Sequence, residues 1–198
     1  VTADVSRSDQ IWRANTDPSA YAQWVPPIYR DPSPSDEGYE KERPLGDFVG
    51  LGAGSEITLT PRAMLAVGAA LRNCGVLLPL TYLAANEPFY WFHCTTKIDA
   101  MDERRTIGRR MDNGFYAGID RLGFHAAALR DAVVFRVPQR GAGLGSAFCT
   151  DAFKRLIDNS GLKGLDFLLT WSDEAEGMAR IMAGEKANGL RLPPMQVA

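Results

Sequence analysis

The clearest pattern of apolar and polar positions lies where a strand, a helix and a second strand follow one another. Glu56–Thr60 alternates as a half-buried strand does, and Thr60 followed by Pro61 is typical of the cap and first residue of a helix. Apolar residues then recur at helical spacing at Ala63, Met64, Val67, Ala70 and Leu71. Gly75 suits a left-handed helix end, and the apolar run Val76–Leu80 predicts the second strand.

The same order recurs nearer the C-terminus. Ala147–Cys149 predicts a short strand, and Thr150 suits the cap of a helix. The apolar stripe of that helix is formed by Phe153, Leu156 and Ile157. Gly161 ends the helix, and Leu165–Trp171 alternates as a strand. The repetition predicts two related strand–helix–strand lobes on one core, although coincidence of common local patterns explains it equally well.

The remaining elements are short. Asp17 and Pro18 predict the cap and first residue of a helix that stops before Pro26. Other strands are predicted at Gln10–Ala14, Phe89–Thr95, Phe115–Ile119 and Ala132–Val137, with a turn at Asp112–Gly114 and a last helix at Asp173–Ala183. We therefore expect an α+β fold with mixed or antiparallel sheets and short flanking helices. It forms one domain over residues 1–198, with a core over about 10–171 and a tail that frays beyond Gly184.

The composition is that of a globular protein, because 45% of the 198 residues are apolar and 23% are charged. A formal net charge of −2 argues against a nucleic-acid-binding protein, which carries a basic excess. No apolar run approaches the ~18 residues that span a bilayer, and the polar segment Val1–Gln10 is unlike a secretion signal. Three cysteines without paired spacing predict reduced, buried thiols at Cys74, Cys94 and Cys149. We expect a cytoplasmic protein with no nucleic-acid or membrane partner.

Sequence signatures of catalysis are few. The chain has two histidines and no Cys-x-x-Cys, His-Glu-x-x-His or Gly-x-Ser-x-Gly motif. Gly50–Gly54 and Gly141–Gly145 depart from the dinucleotide-binding fingerprint at the serine that follows each, so we interpret both as loops. His93, inside an apolar strand, is expected to be a packed core residue. We predict no catalytic residue, cofactor or metal ion; a thiol-dependent hydrolase with Cys149 as nucleophile and His125 as base remains an alternative.

Two acidic groups and one basic cluster are candidate binding surfaces. Residues 1–50 hold nine acidic and five basic side chains, a local charge of −4, and the polar loop Arg30–Pro44 concentrates it. The acidic residues of this loop are Asp31, Asp36, Glu37, Glu40 and Glu42, and a second acidic group comprises Asp173, Glu174 and Glu176. The basic cluster comprises Arg104, Arg105, Arg109 and Arg110. Each group either faces a partner of opposite charge or is a solvated surface.

Several segments share the order and spacing of the motifs of one protein family. The longest is Phe148-Cys149-Thr150-Asp151-Ala152-Phe153-Lys154-Arg155-Leu156-Ile157, followed by Gly161-Leu162-Lys163-Gly164-Leu165-Asp166-Phe167. Upstream lie Asp47-Phe48, the Thr60-capped helix with Gly75–Pro79, Phe92–Asp102 with Ile98-Asp99-Ala100-Met101-Asp102, and Val134-Phe135-Arg136-Val137. Over about residues 10–171 the chain resembles an immunity protein family of bacterial polymorphic-toxin systems. That family is numbered eleven among the immunity domains and was formerly a domain of unknown function; Met101 stands where it usually has leucine.

The resemblance implies a cytoplasmic immunity protein that binds and neutralises one cognate toxin. It brings no catalytic residues, and partner specificity is expected in the variable loops. The two acidic groups named above are then the candidate toxin-binding residues. Two other classes remain open. One is the hydrolase, and the other is a self-associating module, a homodimer through an apolar face of the last helix formed by Met178, Ile181 and Met182.

Overall fold

The computed structural model describes residues 2–3, 13–14, 17–30, 46–49, 57–85, 87–139, 141, 144–182 and 195–197. Helix and strand each account for 30% of the structure, and the predicted α+β class is confirmed. The chain divides into two compact units, Val1–His93 with Leu162–Gly164, and Cys94–Gly161 with Leu165–Ala198. The single-domain organisation stays a prediction. No helix within the described ranges combines the length and the apolar character needed to cross a membrane.

The first unit is built on a six-stranded mixed sheet. Its strands are β1 (Thr2–Ala3), β2 (Ile28–Arg30), β3 (Phe48–Val49), β4 (Ile57–Leu59), β5 (Gly75–Tyr82) and β6 (Phe89–Cys94). They lie in the order β1-β2-β5-β6-β4-β3, with β2 parallel to β5 and with β1–β2, β3–β4 and β4–β6 antiparallel. A 3-10 helix (Pro18–Gln23) and α1 (Pro61–Arg72) complete the unit. One core cluster contains the buried side chains of Ala14, Tyr29, Val49, Leu78, Leu80, Tyr82, Phe89 and Trp91.

The second unit contains two smaller sheets. A hairpin is formed by β7 (Ile107–Arg110) and β8 (Tyr116–Arg121). The other sheet has the order β11-β12-β10-β9, formed by β9 (Val134–Phe135), β10 (Phe148–Cys149), β11 (Phe167–Leu169) and β12 (Met195–Val197). The helices are a 3-10 turn (Ala126–Leu129), α2 (Asp151–Ser160) and α3 (Ala175–Met182). Edge-to-face rings at Phe124, Phe135 and Phe148 form the centre of its core.

The two predicted strand–helix–strand segments fall in different units. The first is β4–α1–β5, and the second is β10–α2–β11. In each, one strand separates the two strands of the segment: β6 lies between β4 and β5, and β12 lies between β10 and β11. The segments therefore share a sheet arrangement as well as a sequence pattern.

The two helix starts differ from one another although both carry threonine. The Thr60 hydroxyl accepts a hydrogen bond from the amide of Ala63 at 3.3 Å, which is the predicted cap. Thr150 occupies the cap position of α2, but its hydroxyl donates to the carbonyl of Ala132 at 2.7 Å. The prediction that Thr150 caps its helix by its side chain is therefore wrong. Its hydroxyl instead ties the start of α2 to the segment before β9.

The helix ends also differ. Gly161 lies at φ 62°, in the left-handed region, and ends α2 as predicted. The prediction that Gly75 ends α1 in the left-handed conformation is wrong. The helix already ends at Asn73, which is in the right-handed conformation, and Gly75 begins β5. On α2, Phe153 and Ile157 are buried as expected while Leu156 is only half-buried.

Other expectations need correction or lie outside the described residues. Arg13 and Ala14, expected in a strand, are helical. The C-terminal tail, expected to fray, contributes β12, which pairs in parallel with β10 and β11. The charged segment after β6 contains a strand, β7, that the sequence pattern did not predict. The polar loop from residue 31 to 45 and the glycine-rich stretch Gly50–Gly54 lie outside the described residues.

Candidate functional site

Two segments on which the resemblance rests, Asp47-Phe48 and residues 162–164 of the longest motif, are joined by hydrogen bonds. The amides of Asp47 and Phe48 donate to the carbonyl of Lys163, at 2.7 and 3.3 Å. In return, Oδ2 of Asp47 accepts from the amide of Lys163 at 2.8 Å. The same oxygen accepts from Nη1 of Arg62, on α1, at 2.7 Å. We call Asp47, Arg62 and Lys163 the Asp47 latch; it fastens a distant segment of the chain to the start of β3.

Two glycines allow the close approach at the latch. Gly164 lies at φ 93°, which favours glycine, and a Cβ on it would lie 2.9 Å from the carbonyl oxygen of Phe48. A Cβ on Gly46 would lie 2.9 Å from the Cα of Gly164. The Asp47 carbonyl also accepts from the amide of Thr60 at 3.0 Å, which places the latch beside the cap of α1. Within the first unit, these residues therefore join the start of β3, the start of α1 and residues 162–164.

The three cysteines are free and buried, as the sequence predicted. Cys149 has no exposed surface. Burial raises the pKa of its thiol far above the ordinary value, and the charge of Asp151 raises it further. A buried, protonated thiol is a poor nucleophile. Among the described residues no hydrogen bond joins Cys149 to His125, so the geometry does not assemble the pair that a thiol-dependent hydrolase needs.

One histidine, His93, is packed in the core, and the other, His125, precedes the 3-10 turn Ala126–Leu129. His93 is buried, as expected, with its ring 5.4 Å from that of Trp91 and 6.2 Å from that of Tyr21. The exposed ring of His125 places Nδ1 3.7 Å from Oδ2 of Asp102. Within the described ranges, no group of three His, Cys, Asp or Glu side chains is placed to hold a metal ion.

Asp102, the last residue of the motif before β7, organises the turn that leads into that strand. Its Oδ1 accepts from the amides of Arg104 and Arg105, at 3.0 and 3.2 Å. Its carbonyl accepts from the amide of Thr106 at 2.9 Å, and its own amide donates to the carbonyl of Gly123 at 2.8 Å. The motif aspartate is thus explained by local structure, since Asx-type hydrogen bonds stabilise turns.

The second acidic group, Asp173, Glu174 and Glu176, is exposed at the start of α3. The hydroxyl of Ser172 accepts from the amide of Glu174 at 3.1 Å, so Ser172 stabilises the turn that precedes the helix. Acidic side chains near a helix N-terminus interact favourably with its dipole, which gives this group a local role. The first acidic group, Asp31, Asp36, Glu37, Glu40 and Glu42, lies outside the described residues.

The predicted apolar face of α3 is not wholly exposed. Met178 packs against the core of the second unit, and Ile181 is half-buried. Only Met182 is largely exposed, at 72%. The expectation of an exposed three-residue dimerisation face is therefore wrong for Met178, because the helix uses that side chain for its own packing.

The predicted arginine cluster lies on and beside the β7–β8 hairpin. Arg110 makes two hydrogen bonds to the carboxylate of Glu103, at 2.9 and 3.0 Å, and its guanidinium lies 5.1 Å from the ring centre of Tyr116. Arg105 places Nε 3.5 Å from Oδ2 of Asp102. Arg104 and Arg109 are exposed, and neither has an ion-pair partner in the part of the chain that the structure describes.

The same hairpin exposes apolar side chains that the sequence analysis did not single out. Ile107, Met111 and Phe115 are 48%, 47% and 38% exposed. Their pattern predicts no surface, because they are dispersed among charged residues and the strand β7 is itself not predicted from the sequence. The turn at Asp112–Gly114, which the sequence did predict, was the signal that a hairpin forms here.

No family model and no curated protein matches this chain.

Proposed function

We propose that this chain is an immunity-type protein that binds a cognate bacterial toxin and neutralises it by occupying part of its surface. The proposal starts from the resemblance, and the Asp47 latch is the observation that supports it most. Two motifs of that resemblance, 116 residues apart, meet through hydrogen bonds of Asp47 and Lys163. Motif residues in mutual contact are what a shared scaffold requires, while specificity is carried elsewhere on the surface.

The site geometry favours binding over chemistry. The cysteine that the hydrolase alternative needs is buried with a raised thiol pKa. Asp102 organises a turn, and His125 is the residue that precedes the 3-10 helix Ala126–Leu129. The exposed groups are instead charged and apolar surface residues on the hairpin and at the start of α3. Arginine and large apolar side chains are the residue types enriched at protein interfaces.

The test is protection together with a physical complex. The open reading frame next to this gene is expressed from a tight inducible promoter in a bacterial host, with and without this chain. We expect growth arrest alone, rescue on co-expression, and a stable complex of the two purified proteins in size-exclusion chromatography with light scattering.

Matched variants separate binding from catalysis. His93→Phe, His125→Ala and Cys149→Ala, each checked for folding by circular dichroism, are expected to protect as well as the unchanged chain. Loss of protection by a folded His125→Ala protein that still binds the toxin would mean that the chain acts catalytically. Failure of the unchanged, folded chain to protect and to bind would overturn the proposal.

A further inference from the structure

The helix α1 packs on the sheet of the first unit with one side and faces solvent with the other. Its buried side chains include Ala63, Val67 and Leu71, and it contacts the strands β4 and β5. At 3.6 residues per turn, the exposed residues of the helix fall on one stripe opposite the buried ones. We call this stripe the outer face of α1; its residues are Arg62, Leu65, Ala66, Ala69 and Arg72.

The outer face of α1 has a leucine at its centre. Leu65 is 90% exposed, the largest exposed fraction among the large apolar side chains of the described residues. Ala66 and Ala69 flank it, so the middle of the face carries no polar side chain. The solvent side of a surface helix normally carries charged and polar residues. Covering Leu65 with a partner would remove this apolar surface from water and stabilise a complex.

The charged residues of α1 are all positive. Arg62 and Arg72 are the only ones, and the ten residues between their positions separate them by about 15 Å along the helix axis. Arg62 pairs with Asp47, but its side chain remains 60% exposed. Arg72 is exposed, and within the described ranges it makes no ion pair. The outer face therefore presents guanidinium groups at both ends of an apolar middle, which makes it complementary to carboxylates.

An acidic helix of another protein fits this face better than other occupants do. A second copy of the chain would bring arginines against arginines across a contact between two α1 helices. Helices that lie on membranes bury a row of large apolar side chains, whereas Leu65 is the only one on this face. Two arginines are few for a nucleic acid, because proteins that bind one neutralise several phosphates. A helix, in contrast, packs along another helix with its side chains in the grooves, and the two alanines allow a close approach.

We infer that the outer face of α1 is a docking surface for an amphipathic helix of a partner protein, with leucine-like side chains and carboxylates on its contacting side. The apolar side chains of that helix surround Leu65, and one of its carboxylates pairs with Arg72. The identity of the partner as the toxin rests on the proposed function; the surface itself does not.

The test uses a fluorescein-labelled peptide of leucine, alanine and glutamate, roughly 18 residues long so that it forms a helix in water. Its leucines lie on one side, and its glutamates border that side. We expect its fluorescence anisotropy to rise on titration with the full chain. Leu65→Ser should lower the affinity at least about fivefold, because apolar contact is lost. The matched control Leu83→Ser changes a leucine of the first unit that is 63% exposed, and it should alter the affinity less than about twofold.

The charge of the face is tested by a second pair of variants. Arg72→Glu should lower the affinity at least about fivefold, and the affinity of the unchanged chain should fall as salt is raised, since salt screens exposed charge pairs. Arg155→Glu makes the same charge change at an exposed arginine of α2 and should alter the affinity less than about twofold. Circular dichroism checks the folding of all four variants.

One measurement needs no variant. A peptide with a benzophenone side chain at the centre of its leucine side is irradiated in complex with the unchanged chain, and the adducts are mapped by mass spectrometry. Benzophenone reacts only with carbon–hydrogen bonds that it contacts, so we expect adducts within residues 62–72.

Absence of peptide binding, equal binding of a lysine-for-glutamate peptide, equal losses within either pair of variants, or adducts confined to other segments would each overturn the inference. A dimer of the unchanged chain that Leu65→Ser dissociates would also overturn it, in favour of a second copy. Binding to vesicles of anionic phospholipid that Leu65→Ser abolishes would overturn it in favour of a membrane.

The peptide assay contains no toxin, so it separates this inference from the proposed function. Absence of peptide binding in a chain that protects removes this surface and leaves the proposed function standing. Peptide binding in a chain that neither protects nor binds the toxin removes the proposed function alone. Where both hold, Leu65→Ser should weaken the toxin complex more than Leu83→Ser does, and equal weakening would mean that the partner of this face is not the toxin.

Discussion

Asp47 satisfies donors from two distant parts of the chain with one carboxylate oxygen, the amide of Lys163 and the guanidinium of Arg62. Asp47→Ala leaves the Lys163 amide without its acceptor, so we expect the free energy of unfolding in urea to fall by about 2 kcal/mol. Asp47→Asn keeps an oxygen acceptor without the charge and should lose less. Asp158→Ala removes an exposed carboxylate paired with Lys154 and should cost no more than about 0.5 kcal/mol. Equal losses for Asp47→Ala and Asp158→Ala would mean that the latch does not hold the scaffold.

Cys149 is expected to be unreactive in the folded chain, because its thiol is buried and its pKa is raised by that burial. A thiol reagent should label native protein at least about a hundredfold more slowly than protein in denaturant, and rapid labelling of one cysteine in native protein would restore the hydrolase alternative.

The raised thiol pKa of Cys149 also makes the stability of the fold depend on pH. Above the ordinary thiol pKa of 9.0 the unfolded chain releases the proton while the folded chain retains it, so stability falls as pH rises from there. Cys149→Ala should show a shallower alkaline loss of stability than the unchanged chain.

Phe135, in the two-residue strand β9, lies at the centre of the core of the second unit. Phe135 has no exposed surface, and its ring centre lies 6.0 Å from that of Phe124 and 5.7 Å from that of Phe148. Phe135→Ala should lower the free energy of unfolding by about 3–5 kcal/mol, as truncation of buried aromatic residues does. Phe115→Ala, at a phenylalanine that is 38% exposed on the β7–β8 hairpin, is the matched control and should cost less than half as much. A loss below about 1 kcal/mol at Phe135 would contradict its position at the centre of that core.

Elements specified by neighbouring residues were the ones that the sequence predicted best. Asp17 caps its helix by accepting from the amide of Ser19, and Gly161 ends α2 in the left-handed region, because both signals act within a few residues. Thr150 shows the limit of such signals. Its neighbours favour a cap, but its hydroxyl is oriented to donate to the carbonyl of Ala132, 18 residues away, and accepts no hydrogen bond from the first turn of α2. That orientation is set by the tertiary fold, which no local sequence pattern contains.

At the scale of the molecule, the sequence predicted the class of fold but not the pairings that complete it. β12 looked like a fraying tail because its partners, β10 and β11, are far away in sequence. β7 is obscured by its arginines, since strand patterns are read from apolar alternation and its one apolar side chain, Ile107, is 48% exposed. The motif residues Asp47 and Lys163 were noted separately, and only the fold shows that they form one latch. The charged residues of the candidate surfaces could be identified in the sequence, whereas the exposure of their side chains and their ion pairs could not.

The uneven distribution of charge along the chain leads to the last prediction. Residues 1–50 carry −4 within a chain of −2, so its acidic field is concentrated in one part of the sequence. If the proposed toxin offers a cationic cleft, charge reversal of Glu37, Glu40 and Glu42 together should slow association and flatten its salt dependence, because steering is screened over ~10 Å at ordinary ionic strength. The matched triple reversal of Asp173, Glu174 and Glu176 changes the net charge by the same amount at the start of α3. Acidic side chains there interact favourably with the helix dipole, so they have a role without a partner, and their reversal should slow association less. Stopped-flow association rates at two salt concentrations decide between them. Equal slowing by both variants would mean that net charge alone steers the encounter, and an unchanged rate for the first would remove its loop from the interface.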